Sequence, residues 1–176
     1  PYTTLFRSNS GNITFTYPED HSENSISRYV GGIIGWINGN SLIKNSYNTG
    51  VISVLASNVG GIASTSTGSI YLTMENCYNT GDITAGSIIG GLVANNNSYR
   101  STIMNNSYNL GNINAISMYS PRKVGGLCQG LCSIQNSYNR GNITLKYPGY
   151  DVGGINGELN TENIKNVYNS GNITLL

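Results

Sequence analysis

A ten-residue block recurs five times along this chain at a nearly constant interval, and no other feature limits the fold as tightly. The copies are Ile43-Lys-Asn-Ser-Tyr-Asn-Thr-Gly-Val-Ile52, Met74-Glu-Asn-Cys-Tyr-Asn-Thr-Gly-Asp-Ile83, Met104-Asn-Asn-Ser-Tyr-Asn-Leu-Gly-Asn-Ile113, Ile134-Gln-Asn-Ser-Tyr-Asn-Arg-Gly-Asn-Ile143 and Ile164-Lys-Asn-Val-Tyr-Asn-Ser-Gly-Asn-Ile173. Ser10-Gly-Asn-Ile13 is a sixth, partial copy. The block glycines Gly50, Gly81, Gly111, Gly141 and Gly171 are 31, 30, 30 and 30 residues apart. Each period carries a second landmark: Val30-Gly-Gly-Ile33, Val59-Gly-Gly-Ile62, Ile89-Gly-Gly-Leu92, Val124-Gly-Gly-Leu127 or Val152-Gly-Gly-Ile155. A period of this length is the signature of stacked repeats.

Within every block the first aliphatic and the last Ile are nine residues apart, whereas the stretch to the next Gly-Gly varies from 6 to 17. One part of the unit is locked and the rest tolerates insertion, as in a solenoid whose strands superimpose while loops leave the stack. In Ile43-Lys-Asn-Ser-Tyr the aliphatic, Asn and Tyr share one parity, with the variable position on the other, which predicts a strand with one wet face. Glycine every ten residues or so disfavours a helix. The spacing therefore predicts an all-β fold, a β-helix (β-solenoid) with about three short strands per ~30-residue rung and five to six rungs over residues 9–176. Stacking would set Asn45, Asn76, Asn106, Asn136 and Asn166 in a buried amide ladder at a corner, beside an aromatic stack of Tyr47, Tyr78, Tyr108, Tyr138 and Tyr168. The block glycines would supply positive φ at a corner. Val and Ile of the second landmark, three apart, both reach the core only if the Gly-Gly bends the strand.

Composition narrows the function. Charged residues are 10% of the chain, against roughly 25% in a typical soluble domain. Net charge is +1 with no basic cluster, which excludes the electrostatic footprint of a nucleic-acid binder. No apolar run approaches the ~18 residues of a membrane span. Of three cysteines, Cys77 takes a place filled elsewhere by Ser46, Ser107, Ser137 and Val167 and reads as a small packed side chain, while Cys128 and Cys132 suit a disulfide or half of a metal site. Residues 1–8 read like the translation of a sequencing adapter and are set apart from the fold. Both ends fall within the repeat pattern without a polar cap, which predicts an isolated piece that is marginally stable or self-associates through open β edges.

Catalytic constellations are not evident. The acidic residues are scattered except for Glu19, Asp20, His21 and Glu23, which read as a solvated loop, and His21 is the only histidine. Asp82 and Asp151 are single substitutions without calcium-loop spacing around them. Thr14, Thr84, Thr144 and Thr174 align in an outward column, but its neighbour is irregular, which argues against an ice-binding face. No catalytic residue, metal or cofactor is therefore expected. The candidate ligand-contact positions are aromatic: Trp36, Tyr119, Tyr147 and Tyr150, in or near insertions that project from the rod.

Gly32-Ile-Ile-Gly35 followed by Asn-Ser-Tyr-Asn-X-Gly resembles the GLUG motif, a bacterial surface repeat also found in the non-catalytic region of IgA-specific zinc metallopeptidases. Ser64, Ala94 and Gln129 depart from the motif's closing Gly, and Gly157 follows Asn156 rather than an aliphatic. The resemblance implies a secreted or wall-attached bacterial protein. It transfers no catalysis, since the peptidase His-Glu-X-X-His is missing from this chain. The expected role is a non-enzymatic structural or adhesive segment, meeting host or cell-wall glycans or proteins and further solenoid repeats. The alternative is an accessory β-helix that positions substrate for a secreted protease or polysaccharide-degrading enzyme.

Overall fold

A computed structural model describes residues 3–15, 29–37, 39–55, 58–65, 71–95, 102–117, 123–158 and 163–176. Tyr119 and the group Glu19, Asp20, His21 and Glu23 lie outside the described residues. The chain is an all-β solenoid of parallel strands, with no helix among the described residues. Each lap of about thirty residues has roughly three strand-length sides. One lap shows the plan. Leu72–Glu75 and Tyr78–Asn79 make a long side, continuous as Cys132–Asn139 two laps on; Ile83–Ala85 makes a second; Ile88–Gly90 and Val93–Asn95 make a third, folded at its Gly-Gly. The chain then returns as Thr102–Asn105 on top of Leu72–Glu75.

Vertical register reproduces the sequence alignment: Tyr78 pairs with Tyr108, Ile83 with Ile113 and Ile89 with Val124. Among the described residues the column from Ile13–Phe15 to Ile173–Leu175 is six strands deep and that from Tyr29–Gly31 to Asp151–Gly153 is five. Residues 1–8, set apart on sequence grounds, contribute Thr3–Leu5, whose backbone pairs with Ser41–Lys44 on the edge of the long sheet.

The interior differs from the sequence expectation in which asparagine it buries. Asn45, Asn76, Asn106, Asn136 and Asn166 have left-handed backbones, with φ of 47°, 54°, 49°, 48° and 53°. Asn tolerates that conformation better than other side-chain-bearing residues. One left-handed residue interrupts the alternation of the strand, so Ile43 points in, Asn45 out, and Ser46 and Asn48 in. The Asn45 column is therefore exposed, and its amides meet only from Asn76 to Asn45 and from Asn166 to Asn136, at 3.1 Å each. The continuous ladder belongs to the second asparagine of the block. Asn9 donates through Nδ2 to Asn48 Oδ1 at 2.7 Å, and the chain of amides continues to Asn79, Asn109 and Asn139 at 2.8 Å each and to Asn169 at 2.7 Å. The other Nδ2 proton of Asn48, Asn79, Asn109 and Asn139 goes to the carbonyl of the block glycine, at 2.8 Å. Each interior amide thus makes three of its four bonds, as a fully buried polar group requires.

The glycines serve close approach and not left-handed geometry. Among the described glycines only Gly130 has a left-handed φ, 103°. A methyl on Gly81, Gly111, Gly141 or Gly171 would land on the carbonyl oxygen of the block glycine one lap earlier. The second Gly of each Gly-Gly faces the amide ladder across the interior: a methyl on Gly61 would sit 2.7 Å from Asn79 Cγ, and one on Gly91 2.8 Å from Asn109 Cγ. The Gly-Gly bend turns both flanking aliphatics inward, Val59 with Ile62 and Val124 with Leu127, all fully buried. The contact of amide ladder and glycine column separates two apolar clusters. Ile43, Met74, Met104 and Ile134 join Ile62, Leu92 and Leu127 in one; Ile52, Ile83, Ile113 and Ile143 join Val59, Ile89 and Val124 in the other.

The two asparagine columns should respond oppositely to mutation. Asn109→Ala strands the Asn79 donor, the Asn139 acceptor and the Gly111 carbonyl in the interior, and should lower stability by about 3–5 kcal/mol in urea unfolding. Asn106→Gly, at an exposed left-handed position, should change it by less than about 0.5 kcal/mol. Gly111→Ala should abolish folding of the lap or cost more than about 3 kcal/mol, read from the same unfolding curves.

Candidate functional site

The outer face of the long side carries the tyrosines. Tyr47, Tyr78, Tyr108, Tyr138 and Tyr168 stack with ring centroids 4.9, 5.0, 5.1 and 5.1 Å apart and planes within 5° of parallel. The spacing is that of the strands, so backbone pairing alone sets the rings in offset contact. Burial within the stack, followed by the neighbouring Tyr138 and Tyr78, pushes the Tyr108 phenol above its ordinary pKa. Arg140 lies over the Tyr138 ring at 5.2 Å and donates from Nη2 to Tyr168 Oη at 3.1 Å, joining the last two laps. Rings whose faces cover one another present edges and hydroxyls to solvent, which leaves the stack a structural stripe.

Behind it, Ser46, Cys77, Ser107, Ser137 and Val167 point inward. Each hydroxyl oxygen of Ser46, Ser107 and Ser137 accepts the backbone N–H of the lap below, from Arg7 at 3.0 Å, Cys77 at 3.1 Å and Ser107 at 3.1 Å. The free thiol of Cys77 is fully buried there, and burial pushes it up to about 11.

A third column explains Asp82. Asn12, Asp82, Asn112 and Asn142 each accept, through the side-chain oxygen, the backbone N–H of the next lap, from Val51 at 3.0 Å, Asn112 at 2.7 Å, Asn142 at 3.1 Å and Asn172 at 2.9 Å. Asp and Asn offer the same acceptor, so Asp82 is a rung and no part of an acid–base pair. Asp151 has a different partner that sequence reasoning missed. Asp151 stacks directly over Lys123 in register, with Lys123 Nζ 3.1 Å from Asp151 Oδ2 and 3.0 Å from Glu158 Oε2. Burial opposes the Lys123 charge, but the hydrogen bonds to Glu158 and Asp151 outweigh it and raise the pKa above the usual lysine value. The only signal in the sequence is opposite charge at equivalent positions of adjacent laps.

The aromatic candidates do not form one site. Trp36 is 58% exposed and stacks on Tyr29 with centroids 6.4 Å apart. Both line an apolar recess of about 480 Å³ with Ile13, Phe15, Val30 and Val54 at the first lap. Tyr150 is 73% exposed and precedes Asp151, which lies four pairings along the column from Tyr29, roughly 19 Å away at ~4.8 Å per rung. Tyr147 is half-buried, with Lys146 Nζ 5.7 Å from its ring. Cys128 and Cys132 form a disulfide that closes a tight corner around Gly130. No group of three His, Cys, Asp or Glu placed to hold a metal occurs among the described residues. Comparisons with models of protein families, with curated proteins and with solved structures find no match.

Cys77 offers a direct check on column packing. It should resist thiol reagents at pH 8 until the protein is denatured. Its folded pKa is raised, so its contribution to stability is complete below the pKa of an unfolded thiol and is lost as pH rises toward about 11. Cys77→Ser, which restores the side chain of the neighbouring laps, should fold normally and lose this part of the alkaline decline in paired pH–stability curves.

Proposed function

We propose that this chain is a non-enzymatic structural and adhesive repeat segment of a secreted or cell-surface bacterial protein, of the kind its GLUG-like motifs resemble. One observation carries the reading: each recurring residue of the block is used to bond or pack one lap onto the next. Asn48, Ser46, Tyr47, Gly50 and Ile52, with their equivalents, make stacking contacts, so what the sequence repeats is a building rule for a rod. A buried disulfide supports an oxidising compartment such as the cell exterior. The sites of recognition are then the non-repeated aromatics, Trp36 above all, toward glycans or proteins of a host or cell wall. Flat exposed rings beside an apolar recess suit the apolar face of a sugar.

The same recess favours a second reading, an accessory rod that holds polymer substrate for a catalytic domain encoded elsewhere in a longer chain. A glycan array and a pull-down against host-surface proteins test the adhesive role. Binding should fall at least about tenfold for Trp36→Ala with unfolding stability unchanged, since the ring is exposed. Uniform silence of both assays removes adhesion and leaves the spacer; a full reading frame that encodes His-Glu-X-X-His or a glycosidase domain favours the accessory role.

A further inference from the structure

We propose that the outer face of the side built from Ile83–Ala85, Ile113–Ala115 and Ile143–Leu145 holds an extended acidic polysaccharide, a chain of uronate sugars lying along the rod. The inference names a face and a ligand class beyond the Trp36 reading, and it does not depend on that reading.

This face carries a recess of about 360 Å³, within the range of small-ligand sites. Ala115, Ile116 and Leu176 line it with apolar surface, Thr84, Asn114 and Thr144 with hydroxyl and amide groups, and Lys146 with its only charge. Lys146 is exposed, and the ion pairs among the described residues use Lys44 and Lys123 instead. Its Nζ lies 5.7 Å from the Tyr147 ring. An uncompensated cation beside apolar surface selects an anion carried on a body with an apolar face, and a uronate ring is such a body.

The polar groups favour a polymer of sugars over an isolated carboxylate. Thr14, Ser53, Thr84, Asn114, Thr144 and Thr174 stand in register, one to a lap, at the strand spacing of ~4.8 Å. Unlike the other recurring polar columns, this one does little to bond lap to lap: among the described residues its side chains make a single hydrogen bond, from Asn114 Nδ2 to Thr84 Oγ1 at 3.4 Å. Strand propensity does not account for the column, because Asn is depleted in strands and yet occupies the middle of Ile113–Ala115. What recurs is a hydrogen-bonding group turned outward. An extended β-1,4-linked sugar chain advances about one rung per ring, so its hydroxyls meet successive laps while its C–H faces pack on Ile116 and a carboxylate reaches Lys146. The strands that carry Thr84, Asn114 and Thr144 each have a neighbour above and below, and further laps would lengthen this lateral face without covering it.

The test titrates the 176-residue chain with hexamannuronate, a β-1,4-linked uronate oligomer, and with neutral cellohexaose, in a calorimeter. Hexamannuronate should bind, more weakly as salt is raised, and cellohexaose should bind at least about tenfold less tightly for want of the charged hydrogen bond. Lys146→Gln should weaken hexamannuronate about tenfold and Thr144→Val about threefold. Both should keep the wild-type unfolding curve, since both side chains reach solvent and Val suits a strand. Trp36→Ala should bind hexamannuronate as wild type does. Silence toward hexamannuronate at millimolar concentration overturns the proposal, as does equal binding of cellohexaose or binding that Lys146→Gln and Thr144→Val leave intact. Loss with Trp36→Ala alone also overturns it and places the sugar at the first-lap recess. The reverse pattern, loss with the Lys146 and Thr144 variants alone, upholds this face even where Trp36 proves to bind nothing.

Discussion

The amide-to-amide hydrogen bond between Asn48 and its equivalents is the contact on which the other features of the interior depend. An unpaired carboxamide in an apolar interior costs several kcal/mol, and here its donor and acceptor are both met by the same residue one lap away. That solution works only if every lap delivers an Asn at the same height and angle, which is why the block never changes length. It also demands room. The second Gly of the opposing Gly-Gly gives up its side chain so that the ladder fits, and the two landmarks of the repeat, far apart along the chain, are halves of one contact. Aliphatics on either side of that contact then fall into two separate cores.

Around the ladder, the polar columns share a logic. Ser107 and Ser137 hydroxyls, and the Asn12, Asp82 and Asn142 side-chain oxygens, accept backbone N–H groups of an adjacent lap. Corners, where regular strand pairing lapses, are thereby bonded by side chains, and main-chain groups that would be orphaned are satisfied. Substitutions follow the same logic. Aspartate serves at position 82 because it keeps the acceptor oxygen, and cysteine serves at 77 because it keeps the size. Neither needs a chemical role to explain it.

Because each lap contacts only its neighbours, the cooperativity of the rod is one-dimensional. The interior columns, Ile113 and Ile143 among them, are sealed from water. Residues common to all laps are committed to stacking, and those that differ, Trp36 and Tyr150 among them, stand on the surface.

The period, the parallel stack, the inward bend at Gly-Gly and the vertical alignment of Tyr47 with Tyr78, Tyr108 and Tyr138 were legible in the sequence. They follow from spacing, and equal spacing in a stacked chain forces equal position. Which of the two asparagines in Asn-Ser-Tyr-Asn lies inside was not legible, because strict alternation buries Asn45, and a single left-handed residue reverses that parity for everything after it. The reason for each block glycine was hidden for a similar cause: flexibility and close approach favour the same residue, and only the carbonyl lying against Gly81 or Gly111 distinguishes them. Nor does one lap reveal that Asp151 stands over Lys123, a pairing created by the return of the chain. Periodicity thus determined the coil and its register, whereas the interior of each lap was decided by contacts between laps, which a linear pattern implies but does not orient.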